Sequence, residues 1–195
     1  MIGYQNHKML NDDVEMIDSR DEEEIIQATR EDKTMFVHLY RRYVKDVYRY
    51  AFSRVNNPQE AEDITSQTFL SALQSFDQFR GDGCFGAYLI GITRRLIARS
   101  FRHKENGWLE EINQLEISKS QSEEQITQKL NLDQVIGELA SIPEKRAEAI
   151  RLHYFAGLQV KEVAKVMRKS EMAIRMLVHR GIIDLQKRLL DGNKR

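Results

Sequence analysis

Cysteine is almost absent from this chain, proline nearly so, and net charge entirely. There is one Cys, there are two Pro, and 30 basic residues balance 30 acidic ones among 195. A lone thiol, Cys84, excludes an internal disulfide and fits a reducing cytoplasm. It has no His or second Cys at ligand spacing, so it reads as inert. Scarce proline, with an apolar fraction of 41% and a charged fraction of 31%, favours an all-α chain with packed cores. No apolar run approaches the ~20 residues of a membrane-spanning helix. The first residues lack the basic flank and apolar core of a secretory signal, so a cytoplasmic location without membrane insertion is expected. The five His and the single Cys form no metal or nucleophile constellation, and no phosphate-binding P-loop is present. Catalytic residues, metal and cofactors are therefore not expected.

The zero net charge conceals a strong asymmetry. Asp12, Asp13, Glu15, Asp18, Asp21, Glu22, Glu23, Glu24, Glu31 and Asp32 crowd the N-terminal part. Basic residues dominate 94–104, with Arg94, Arg95, Arg99, Arg102 and Lys104, and again 161–195. Such a distribution, unlike the total, is compatible with a nucleic-acid partner.

The stretch from Pro143 to Leu190 holds three consecutive helical patterns. Pro143 suits a first helical turn, and Ala147, Ile150 and Tyr154 recur at helical spacing, with Leu152 and Phe155 widening the apolar face. Gly157 is placed to stop that helix. A short helix follows with Val160, Val163, Ala164 and Met167. Ser170 is a good N-cap for a third helix, whose inward face is Ala173, Ile174, Leu177, Val178, Gly181, Ile182 and Leu185. Its other face carries Glu171, Met172, Arg175, His179 and Arg180. A short helix, a tight turn and a longer basic helix make a helix-turn-helix, which sets the start of the long helix in the major groove. A plain helical hairpin with a solvated charged face is the alternative.

Upstream, helical spacing begins at Glu22, with Ile25, Ile26 and Ala28. Asp32 or Thr34 can cap the next helix, whose broad face holds Phe36, Leu39, Tyr40, Tyr43, Val47, Tyr50, Ala51 and Val55. Asn57 and Pro58 restart the chain as cap and first turn. The following helix carries Ala61, Ile64, Thr65, Thr68, Phe69, Ala72, Leu73 and Phe76 inward. Gly81, Gly83 and Gly86 match a dinucleotide-binding glycine pattern, but no strand precedes them, so they read as an interhelical loop. A helix over about 85–101 has an apolar face of Phe85, Tyr88, Leu89, Ile92, Leu96 and Ile97. Aromatics beside a loop, followed by an arginine stripe, suit melted DNA: rings stack bases and cations neutralise phosphates. A solvated basic face is the simpler alternative. Residues 103–129, polar and rich in Ser and Gln, read as a linker that includes Trp108. Residues 1–21 read as a flexible acidic tail.

Two blocks together resemble the bacterial sigma-70 family, in its compact extracytoplasmic-function group. F-V-H-L-Y-R-R-Y-V-K-D-V-Y-R-Y-A, A-E-D-I-T-S-Q-T-F-L-S-A-L and F-R-G-D-G-C-F-G-A-Y-L-I-G-I-T-R-R-L-I are similar to the family's second conserved region. Leu139 to Leu190 is similar to its fourth. The resemblance implies two small helical domains, 22–102 and 130–191, joined by the flexible linker 103–129. It implies binding to the clamp and flap regions of core RNA polymerase and to promoter DNA, both duplex and melted strand. Anti-sigma factors are partners that the family admits.

By the same resemblance, Glu62, Asp63, Thr65, Gln67 and Thr68 dock on the polymerase clamp. Arg80, Asp82, Phe85, Tyr88, Arg94, Arg95 and Arg99 open and hold the minus-10 element. Arg168, Lys169, Ser170, Glu171, Met172, Arg175, His179 and Arg180 serve the minus-35 element. The linker acids Glu105, Glu110, Glu111 and Glu116 mimic nucleic-acid charge near the RNA exit path. Departures from the pattern are Tyr88 for a frequent Trp, Arg95 for Asn, Arg168 for Gly, Lys169 for an aliphatic residue, Gln159 for Ser or Thr, and Leu177 for a basic residue. A helix-turn-helix regulator that never joins polymerase is the competing reading; it requires autonomous duplex binding.

Overall fold

The computed structural model describes residues 21–81, 84–105 and 134–192, and among these every regular element is helical. Tail residues 1–20, Asp82, Gly83, linker residues 106–133 with Trp108, and residues 193–195 lie outside the described residues.

Helix α1, Glu22–Glu31, starts at Asp21, whose carboxylate accepts from the Glu22 amide at 2.8 Å. Asp21 is thus a helix cap, at the edge of the stretch expected to be tail. Asp32 caps a short 3₁₀ turn, Lys33–Met35, by accepting from the Thr34 amide at 2.9 Å. Hydrogen bonding from the Thr34 side chain first, and from its amide second, holds the Asp32 carboxyl below the usual range. Helix α2, Phe36–Val55, ends at Asn56 in the left-handed conformation, φ 50°. Asn57 and Pro58 then open α3, Pro58–Gln74, with the Glu60 amide donating to Asn57 Oδ1 at 3.0 Å. After a 3₁₀ turn, Phe76–Gln78, comes α4, Phe85–Glu105, which continues past position 102.

Helices α1 to α4 close around an aromatic core of Phe36, Phe69, Phe76, Phe79 and Phe85, with ring centroids 5.2–6.5 Å apart in edge and tilted pairs. Gly86 lies where α4 meets α2: a Cβ there would stand 2.9 Å from the Tyr43 ring. The Thr68 and Thr93 hydroxyls, both buried, sit 3.2 Å apart between α3 and α4.

The second unit begins with a helical segment, α5, at 134–139. It continues through α6, Glu144–Ile150, with Pro143 as the residue before the helix and not inside its first turn. From Arg151 to Phe155 the winding widens to a π-helical turn, closed by the Ala156 amide on the Arg151 carbonyl at 2.9 Å. The wider turn breaks the 3.6-residue spacing on which the expected apolar face rested. Tyr154, expected inward, is 58% exposed, and Arg151 is buried. Gly157 ends the element at φ 66°, as the sequence predicts.

Helix α7, Val160–Met167, is entered with the Gln159 amide donating to Glu162 Oε2 at 2.7 Å. Glu162 thus supplies half of a capping box, which offsets the lack of Ser or Thr at Gln159. Arg168 turns the chain at φ 53°, and Ser170 Oγ accepts from the Ala173 amide at 3.2 Å to open α8, Glu171–Gly192. Ile174, Val178, Gly181 and Leu185 are buried, as expected of the inward face.

Candidate nucleic-acid interface

The turn and the long helix of the C-terminal unit present the cations anticipated there. Arg168, Lys169, Ser170, Glu171, Met172, Arg175, His179 and Arg180 are all exposed. Arg175 faces Glu171 one turn back at 3.6 Å, which holds its guanidinium over the start of α8. Met172 is 70% exposed and Met176, one turn on, 43%. Together they offer apolar surface of the kind that contacts thymine methyl groups in the major groove. Met176 escaped the sequence reading, although its i+4 spacing from Met172 marks it. Lys161 and Lys165 are exposed on α7 and line one hollow with Arg168, Lys169 and Ser170. Phosphate is attracted to such a place, where cations ring a helix N-terminus. The i, i+4 lysine pair ahead of Arg168 was the available signal.

Residues expected on the melted-strand surface divide into two groups. Arg80, Arg94, Arg95 and Arg99 are exposed. Phe85 is not: it is fully buried against Phe36, Phe76, Phe79 and Tyr88. Its amide donates to Glu22 Oε1 at 2.9 Å, fastening the start of α4 to α1. Phe85 thus belongs to the apolar face that the spacing predicts and is not available as a base-stacking ring. Tyr88 is half-buried, and its hydroxyl and that of Ser75 share a hydrogen bond at 2.7 Å. Asp82 lies outside the described residues. Cys84 is partly buried, and burial pushes its thiol up to about 11, which keeps it protonated and unreactive.

The α3 set divides in the same way. Glu62, Asp63 and Gln67 are exposed. Thr65 and Thr68 are buried, with hydroxyls donating to the Ala61 and Ile64 carbonyls at 2.7 and 2.8 Å. Those two side chains have no free donor and no exposed surface for a partner. Leu70 is 56% exposed and Leu73 37%, beside Val37 and Tyr40 of α2 at 41% and 43%. Tyr40 leans on Phe69 at 4.8 Å between centroids. Tyr40 and Leu73, both expected inward, are exposed, as are Glu62, Asp63 and Gln67 on α3.

Comparison with known proteins bears on both units. Residues 39–106 match the model of Sigma-70 region 2, and residues 132–185 match that of Sigma-70, region 4. The chain is 34% identical over 163 residues to the ECF RNA polymerase sigma factor BldN of Streptomyces coelicolor, covering 80% of this chain and 61% of that one. The chain belongs to the sigma-70 family, in its extracytoplasmic-function group. RNA polymerase sigma factor YlaC of Bacillus subtilis is 23% identical, over 77% of this chain and 90% of that one.

Solved sigma-factor structures share the fold. CnrH, in complex with the cytosolic domain of CnrY, aligns at a TM-score of 0.61 with 21% identity, over 86% of this chain and 95% of that one. RpoE, in complex with the anti-sigma factor NepR from Bartonella quintana, aligns at 0.59 with 19% identity, over 79% and 96%. The residues matched as region 2 span most of α2 and all of α3 and α4, and those matched as region 4 span α6, α7 and most of α8. Among the described residues no group of His, Cys, Asp and Glu is placed to hold a metal ion, and no helix is long and apolar enough to cross a membrane.

Proposed function

We propose that this chain is a transcription initiation factor that binds core RNA polymerase and directs it to promoters, where it assists DNA melting. The observation that carries the reading is the pairing of two surfaces on two family-matched units. One is formed by the exposed acidic and apolar side chains Glu62, Asp63, Gln67, Leu70 and Tyr40. The other is the basic helix-turn-helix of Arg168, Lys169, Arg175 and Arg180. A duplex-binding regulator needs only the second.

The region 4 unit sets α8 in the major groove of the minus-35 element. Lys161, Lys165, Arg168 and Lys169 hold phosphates, which gives register without sequence information. Arg175, His179 and Met172 reach base edges, where the four base pairs are distinguishable. The region 2 unit receives the minus-10 strand along Arg80, Arg94, Arg95 and Arg99, with Tyr88 as the available ring beside them. Phosphate neutralisation and stacking stabilise the opened strand. No covalent step is performed by this chain. It acts in the cytoplasm, alongside polymerase and nucleoid DNA.

The polymerase patch is tested by equilibrium binding to bacterial core RNA polymerase. Replacing Glu62, Asp63 and Leu70 by Ala weakens binding at least ten-fold, whereas Thr65→Val leaves it within two-fold. Unchanged binding by the triple variant, combined with tight autonomous binding to duplex, would favour the regulator.

A further inference from the structure

The match to region 2 begins at residue 39, so α1 lies outside it. Ile25 and Ile26 bury one face of α1 in the aromatic core of the unit. Its polar side chains make more specific contacts. Near the C-terminal end of α1, Arg30 Nη2 donates to the Phe79 carbonyl at 2.9 Å. At the other end, Glu22 Oε1 accepts from the Phe85 amide at 2.9 Å, and Glu22 Oε2 accepts from the Tyr43 hydroxyl of α2. One helix of 10 residues therefore grips the chain just before Arg80 and again at the first residue of α4. Glu22, Gln27 and Arg30 share a hollow of about 380 Å³ with Arg80 and Gly81, so α1 stands directly beside the segment that carries Arg80.

The first amides of a helix have no partner within it. Cys84, just before α4, has no side-chain oxygen to offer them. Glu22 fills that role from 63 positions away, and its negative charge suits the positive end of α4. Tyr43 draws α2 into the same arrangement. Gly86 packs so closely on the Tyr43 ring that an added Cβ would stand 2.9 Å from it. Glu22, half-buried, thus ties three helices at the point where α4 begins. Tyr88 lies one turn further along α4, and Arg94, Arg95 and Arg99 follow on the same helix. The direction in which α4 leaves this point sets where those groups stand relative to Arg80.

We propose that Glu22 is a positioning residue for promoter opening. With Arg30, it fixes the start of α4 relative to Arg80, so that Tyr88 and the arginines of α4 meet the melted strand together. Groups that must act at once lose much of their effect when one of them shifts by about 1 Å. Neither Glu22 nor Arg30 needs to touch DNA or polymerase to have this effect. The role in opening rests on the sigma-factor reading above; the hold of α1 on α4 does not.

Three variants of the full chain test it. Hydrogen exchange at the Phe85 amide, followed by NMR, reads the hold itself. Permanganate reactivity of thymines, in a promoter fragment that the wild-type chain opens with core polymerase, reads the function. Equilibrium binding to core polymerase is measured beside it. Glu22→Ala speeds exchange at Phe85 and lowers thymine reactivity, each about ten-fold, as loss of a charge-assisted hydrogen bond requires, while core binding stays within about two-fold. Glu22→Gln, whose side-chain carbonyl still accepts from the Phe85 amide, recovers most of both. Arg30→Ala frees only the Phe79 carbonyl; it lowers thymine reactivity and leaves the Phe85 amide protected. Wild-type opening by Glu22→Ala, a Glu22→Gln variant as impaired as Glu22→Ala, or core binding that falls in step with opening would each overturn the proposal. A wild-type chain that opens no promoter sinks the sigma reading, while exchange at Phe85 still decides whether Glu22 holds α4.

Discussion

Tyr50 and Glu148, 98 positions apart in sequence, meet at 2.9 Å where the two units of this sigma factor touch. Burial first, and the carboxylate beside it second, push the phenol well above its ordinary range, so it remains a donor across all physiological pH. Tyr50→Phe removes that donor and leaves Glu148 desolvated with only arginines. The expected loss is about 1–3 kcal/mol of stability in urea titration.

Helices α6 and α8 approach closely at Gly181. A Cβ there would fall 2.7 Å from Ile150 Cδ1 and 3.2 Å from Arg146 Cβ. Gly181→Ala should cost about 1–3 kcal/mol through overpacking. Gly91, also helical, has nothing within 4 Å of an added Cβ. Gly91→Ala should stabilise by up to about 1 kcal/mol through helix propensity alone. Thermal melts of the two variants therefore shift in opposite directions.

Arg168 holds φ at 53° in the turn between α7 and α8. A left-handed residue with a side chain is strained by roughly 1–2 kcal/mol relative to glycine. Arg168→Gly should therefore raise stability while weakening DNA binding equally on all sequences, since a phosphate contact is lost. A salt titration checks this: the slope of log affinity against log salt should fall in magnitude by about one.

Arg175 is expected to behave differently. Its replacement by Ala should cost about 1–3 kcal/mol on the preferred minus-35 sequence and relax selection at one position. Competition binding with single-position variants of the site reads this directly.

Cys84 tests the packing of the region 2 unit. Its thiol, raised to about 11 by burial, should react negligibly with a maleimide or disulfide reagent at pH 7 in the folded chain. The rate should climb with pH toward that value and become rapid at pH 7 only in denaturant. Rapid labelling of the native protein would show the start of α4 to be open.

Much of this architecture was legible in the sequence because local chemistry dictates it. Asn57 with Pro58, Gly157 and Ser170 mark helix ends through their own backbone preferences, and each stands where such a residue is needed. The misreadings share one cause: helical periodicity assigns a face but not what lies opposite it. Phe85 fits both the apolar face and the melted-strand surface, and only the three phenylalanines around it decide for the core. Thr65 and Thr68 satisfied both the inward pattern and the docking motif, and only their hydrogen bonds to the helix backbone decide between the two. Tyr154 is exposed because Arg151–Phe155 winds as a π turn, which 3.6-residue spacing does not anticipate. The same holds for the contacts of Glu148, whose partners Tyr50, Arg54 and Arg94 lie far from it in sequence.

The measurement that bears most directly on the central claim is start-site mapping of transcripts made by bacterial core polymerase with this chain on a genomic fragment library. The account predicts new, chain-dependent starts preceded by two shared sequence elements. It also predicts that Arg175→Ala alters selection at the upstream element alone. Absence of chain-dependent starts, with core binding undetectable, would contradict it.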